Sequence, residues 1–210
     1  MNVLEDKGLI ETSEYLIQEA LFKAMSYKEY REKVAQLVAE GKSTGTEQTE
    51  PLAQYTLLND KRMKRLDKTI KVDEASAAKI GQLDKKITWL VLTESWCADA
   101  AQSMPVMNKI AEQNANIDFK VILRDDNLEV MNRFLYNGTM SIPKLISIDD
   151  ETGKVLGEWG PRPSTATEMV NTYKKLHGKL TSEFKQDLQL WYNKDKGIST
   201  LEGLTGLLLK

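Results

Sequence analysis

The stretch that decides the fold is ITWLVLTESWCADA, residues 87–100. Its first seven residues, Ile87 to Thr93, form a short, nearly continuous apolar run with β-branched members, as a strand buried on both faces requires. A parallel sheet is expected to start there. The chain then turns directly into a segment with helical spacing through Pro105, Met107, Ile110 and Ala111, which places Cys97 at the helix N-terminus. Free backbone N–H groups and the positive end of the helix dipole favour thiolate over thiol at such a position. Asp99, in the same first turn, and Glu94 nearby oppose that ionisation. The expectation is a reactive thiol, more acidic than a free cysteine and alkylated quickly at neutral pH.

Downstream, Ile117 to Leu123 reads as a second strand, and a helix is expected from about Asn127 through Val130, Phe134 and Leu135, closed by Asn137-Gly138. Strand, helix, strand, helix implies right-handed crossovers. Pro143 to Ile148 and Lys154 to Trp159 then read as an antiparallel pair around a loop of turn formers, Asp149 to Gly153. A helix follows from about Ser164 to Leu176. The pattern breaks from Asn193 to Ile198, after which Ser199 or Thr200 can cap a last amphipathic segment with Leu201, Leu204 and Leu207 to Leu209.

Upstream, Ile17, Leu21, Ala24, Tyr30, Val34, Leu37 and Val38 recur at helical spacing, and Ser26 with Glu29 has the form of a capping box, which predicts two helices. The polar stretch from Gly41 to Glu50 reads as a linker, with Pro51 opening the next helix. Helical spacing continues through Tyr55, Leu58, Met63 and Leu66, and Asp73 is placed to cap a further helix. No strand is expected before Leu83.

With 41% hydrophobic and 29% charged residues in 210, the chain has the composition of a soluble globular protein. A formal net charge of -2 gives no global field for nucleic acid or an anionic membrane, and neither partner is expected. The apolar runs fall short of the roughly 20 residues of a spanning helix. The opening Met1 to Gly8 lacks the features of a secretory signal, so cytoplasmic residence is expected. One cysteine and one histidine provide neither an internal disulfide nor a metal cage. His177 is given no role.

Between Ile87 and Leu180 the chain resembles the thioredoxin superfamily. The resemblance rests on Trp96 immediately before Cys97, on Pro105 eight residues after it, and on Ile142-Pro143 opening the next-but-one strand. Gly153, Gly160 and the helix after them also match. The implied fold is α/β and thioredoxin-like, a central mixed sheet flanked by helices, here with an α-helical N-terminal extension. Residues 1–85 would be that extension, partly packed on a domain at 86–180, with a helical segment at 181–210. The resemblance further implies a cis Pro143 beside the thiol and a backbone at Ile142 that pairs with an extended substrate.

Two departures narrow the implied chemistry. Ala100 stands where the family has its second cysteine, so a mixed disulfide on Cys97 must be released by an external thiol. Val91 stands where thioredoxins carry a buried acid. The resulting expectation is a monothiol redox protein that forms mixed disulfides through Cys97 with a protein or small-molecule thiol or disulfide, an oxidoreductase without a resolving cysteine. Glutathione would be a co-substrate, and no cofactor or metal is expected. The alternative is a redox-inactive module that binds peptides or proteins. Trp96, Ile142 and Pro143 are assigned to substrate binding, with Trp96 either a contact beside the thiol or simple packing. Asp99 either accepts a proton near the sulfur or only stabilises the helix start. Arg124 and Arg162, at the sheet end that carries the site, are candidates to hold a carboxylate of glutathione or substrate.

Overall fold

In the computed structural model of the chain, residues 12–208 are described. The opening at 1–8 and Leu209 lie outside them. Fourteen elements follow in chain order among the described residues. Helix α1 (Ser13–Leu21) is capped by Thr12, whose hydroxyl accepts the Tyr15 N–H. Strand β1 (Met25–Ser26) runs directly into α2 (Tyr27–Glu40), where Ser26 and Glu29 close the capping box in both directions and Gly41 ends the helix at φ +66°. Helix α3 (Glu50–Thr69) carries Pro51 in its first turn, and α4 (Glu74–Ile80) follows the Asp73 cap.

The sheet proper begins with β2 (Ile87–Thr93), every residue of it buried, followed by α5 (Ala98–Ala111) and β3 (Ile117–Leu123). Then come α6 (Leu128–Arg133), the hairpin strands β4 (Lys144–Asp149) and β5 (Val155–Trp159), and helices α7 (Ser164–His177), α8 (Ser182–Asp195) and α9 (Ile198–Leu208). Strand order is β1-β3-β2-β4-β5, with β2 and β3 parallel and the other pairs antiparallel. This is the mixed sheet flanked by helices that the resemblance implied.

Three expectations need correction. A strand precedes Leu83: Met25 pairs with Val121 and Ser26 with Lys120. Two residues are too few to show a strand period, and the adjoining helices dominate the pattern. Gly41 to Glu50 is not a free linker, because Ser43 and Thr44 are each only 3% exposed. Helix α6 ends at Arg133, and Asn137-Gly138, both at positive φ, instead turn the chain between Tyr136 and Thr139, which pair with each other.

One apolar cluster draws from both sides of position 85. Ile17, Tyr30, Val34, Met63 and Leu66 pack in it with Trp89, Leu90, Met104, Leu145 and Leu204. Trp89 alone, fully buried in β2, is the kind of side chain whose truncation costs about 3–5 kcal/mol. A smaller cluster of Ala166, Val170, Phe184, Leu188 and Tyr192 joins α7 to α8. Through that second cluster, α8 reaches the start of α5.

Candidate functional site

Strand β2 ends at Thr93, and the three residues that follow carry the chain to the N-cap of α5, which is Cys97. Its sulfur accepts the Ala100 N–H at 3.4 Å and donates to the Ile142 carbonyl at 3.3 Å. Ile142 precedes Pro143 through a cis peptide bond, and β4 starts at the next residue. Strand β2 lies between β3 and β4, so the sheet itself delivers the thiol and the Ile142-Pro143 backbone to the same end.

The expected acidity of this thiol is corrected by the structure. Cys97 is 7% exposed, and burial, followed by the Asp99 charge, pushes the thiol up to about 12. The N–H groups of Ala100 and Asp99 and the Arg162 guanidinium pull the other way and are outweighed. Desolvation wins because a thiolate loses most of its hydration there, whereas the helix start returns only part of that stabilisation. Tyr30 lies fully buried beside Cys97, Thr93 and Glu94; burial first, then the neighbouring thiol, raises its phenol.

Asp99 is buried rather than poised in solvent. Its carboxylate takes Arg162 Nη2 at 2.6 Å and the Tyr192 hydroxyl at 3.0 Å. Burial pushes the carboxyl up against the pull of both partners. Arg162 is therefore committed to Asp99, an ion pair that ties the segment after β5 to the first turn of α5. Arg124 is likewise engaged: Nε and Nη2 meet Asp125 Oδ1 at 2.8 and 2.7 Å, and the guanidinium carbon lies 5.1 Å from the Trp96 ring centroid. Trp96 is half-buried beneath it. Each of the two arginines thus has a carboxylate partner within the chain. His177 rests on the Tyr173 ring in α7, with ring centroids 4.3 Å apart.

Ser95 is the hub that fixes the loop before Trp96. Its hydroxyl takes the Thr44 N–H at 2.9 Å and lies 2.8 Å from the Thr56 hydroxyl, while its own N–H donates to Thr44 Oγ1 at 2.8 Å. Asn59 of α3 donates to the Ser95 carbonyl at 2.9 Å. Glu94, fully buried, accepts the Asp125 N–H at 2.9 Å, and burial raises its carboxyl. Sequence reasoning missed Thr44, Thr56, Asn59, Tyr30 and Tyr192. A run such as Ser43-Thr44-Gly45 carries a linker's composition, and only a partner 51 residues away makes it structure. Gly45 marks the close approach: at φ +86°, a Cβ there would meet Asp125 Oδ2 at 2.7 Å. Among the described residues no cluster of three or more metal-ligating side chains occurs, and no helix is long and apolar enough to cross a membrane.

A family model described as Thioredoxin matches residues 45–175, well over half of the chain. No curated protein matches. Among solved structures, a protein of unknown function from Pseudomonas aeruginosa is similar, with a TM-score of 0.57 at 16% identity, covering 88% of this chain and 97% of that one. An HIV epitope-scaffold is similar as well, with a TM-score of 0.55 at 15% identity, covering 88% of this chain and 98% of its own. At such identities the likeness is one of fold.

Proposed function

Because the chain belongs to the thioredoxin family, we propose that it acts as a one-thiol exchange protein, forming a mixed disulfide through Cys97 that an external thiol releases. The observation that carries this reading is the position of the sulfur, at the N-cap of α5 and 3.3 Å from the Ile142 carbonyl beside Pro143. A cysteine kept only for packing has no need of a helix start or of that neighbour.

The chemistry runs in two exchanges. The Cys97 thiol gives its proton to solvent, and the thiolate attacks one sulfur of a protein or glutathione disulfide. The Cys97–sulfur bond forms, the substrate disulfide breaks, and its other sulfur leaves as thiolate and takes up a proton. Ala100 provides no second thiol, so glutathione or another thiol attacks the mixed disulfide, regenerates Cys97 and carries away the substrate sulfur as a new disulfide. At rest the thiol is protonated and donates to the Ile142 carbonyl. An extended substrate pairing with Ile142 offers its own N–H to that carbonyl. Loss of the acceptor disfavours the neutral thiol, so docking and activation are coupled. Trp96 immediately precedes the thiol in the chain, and the Arg124 guanidinium lies over its ring.

The test is a coupled glutathione–disulfide assay on wild type and Cys97→Ser. Turnover in wild type that vanishes in the variant is expected, and equal turnover in both overturns the reading. The thiol held up at about 12 favours a second reading, a redox-inactive module that binds an extended partner at Trp96 and Pro143. Under that reading wild type shows no turnover, and Cys97→Ser binds its partner unchanged.

A further inference from the structure

Helix α3 presents one face that neither the core nor the thiol uses. Near its start Tyr55 and Leu58 are 41% and 43% exposed and line a shallow cleft with Pro51, Gln54 and Lys61. Further along the same stripe, at spacings of three and four, stand Lys61, Arg65 and Lys68, all exposed. From Tyr55 to Lys68 the stripe spans about 20 Å at 1.5 Å per residue.

The charge on this face is unbalanced for a structural reason. The helix has two acids beyond its first turn, and both turn toward α2. Asp60 takes Arg31 at 3.1 Å and Lys64 at 2.7 Å; Asp67 takes Arg31 at 3.3 Å and the Tyr27 hydroxyl at 2.7 Å. Lys61, Arg65 and Lys68 pair with no carboxylate among the described residues, and Arg65 meets only the neutral amide of Asn193 at 2.8 Å. In a chain of net charge -2, this is a local basic stripe and not a reflection of overall charge.

We propose that this face docks an acidic, amphipathic segment of a partner protein, with apolar side chains on Tyr55 and Leu58 and carboxylates on Lys61, Arg65 and Lys68. Charge complementarity selects an acidic occupant, and the apolar cleft at one end selects a polypeptide over nucleic acid, whose backbone offers nothing to cover it. Docking itself needs no reaction at Cys97, and its failure is therefore separable from failure of the exchange chemistry.

The test measures fluorescence anisotropy of a labelled peptide of Leu-Leu-Glu-Glu repeats on the full chain carrying Cys97→Ser. Saturable binding is expected, weakened at least about tenfold by the combined Lys61→Glu, Arg65→Glu and Lys68→Glu changes and weakened also by Leu58→Ser. In about 1 M salt, where charges are screened within about 3 Å, affinity should fall likewise. If the reversed charges unfold the chain, the neutral set Lys61→Gln, Arg65→Gln and Lys68→Gln decides, with the same direction expected. Absence of binding, equal binding by the charge variants, tighter binding of a labelled single-stranded oligonucleotide, or a self-associated chain with this face covered would each overturn the proposal.

Discussion

At Cys97 two local effects compete, and their magnitudes decide the resting state. The helix start supplies the Ala100 and Asp99 N–H groups, while burial and the Asp99 charge oppose them and prevail. Modification of the native protein by iodoacetamide should therefore be slow at neutral pH and should rise about tenfold per pH unit to at least about pH 10 without levelling. A plateau near pH 8 would show an ordinary or acidic thiol. The neighbouring ion pair makes a separate prediction. Arg162→Ala leaves the Asp99 carboxylate buried beside Tyr192 without its cation, a change expected to cost about 3 kcal/mol in urea unfolding. A loss below about 1 kcal/mol would mean that solvent already reaches Asp99.

Elements that frame the thiol are held by segments far away in sequence. Thr44 belongs to the loop between α2 and α3, yet its hydroxyl and N–H bind Ser95 on the loop leading to Cys97. Thr44→Val should destabilise the fold by about 1–2 kcal/mol and speed Cys97 alkylation relative to wild type, measured at one pH. Unchanged alkylation would show that the loop does not position Trp96 and Cys97. Gly160 guards the other wall. Its φ is +118°, and a Cβ there would fall 2.1 Å from the Pro143 carbonyl oxygen, so Gly160→Ala should yield little folded protein by near-ultraviolet circular dichroism. How much of this was legible in the sequence follows from the range of each signal. The run Ile87 to Thr93, the Ser26–Glu29 capping box and the Asp73 cap are local and were readable. So was Cys97 at a helix start. Strand β1 was too short to show a period, and the Thr44–Ser95 and Asp99–Tyr192 contacts join positions 51 and 93 residues apart, for which local pattern has no signal. The pKa of Cys97 reversed for the same reason, since helix position is local and burial is not.

On the scale of the whole molecule, the helices before residue 85 and the sheet after it share one apolar core, and the site is assembled from both. Tyr30 of α2, Asn59 of α3, Cys97 of α5 and Tyr192 of α8 come from four helices. That convergence gives stability an alkaline signature. Burial raises the thiol of Cys97 and the phenols of Tyr27, Tyr30 and Tyr192, so the folded chain keeps protons that the unfolded chain loses above its ordinary pKa values. The stabilisation is complete below about pH 8.5 and falls as pH rises toward the folded values. Urea midpoints should decline from pH 9 upward in wild type and decline less steeply in Cys97→Ser. Identical slopes would remove the thiol from that balance. Exchange of Cys97 with an external disulfide is read out by intact-mass spectrometry of native wild type and Cys97→Ser after incubation with glutathione disulfide. A single glutathione adduct is expected on wild type alone, forming faster as pH rises and removed by reduced glutathione. A wild-type protein that gains no adduct until it is denatured would contradict the proposed exchange.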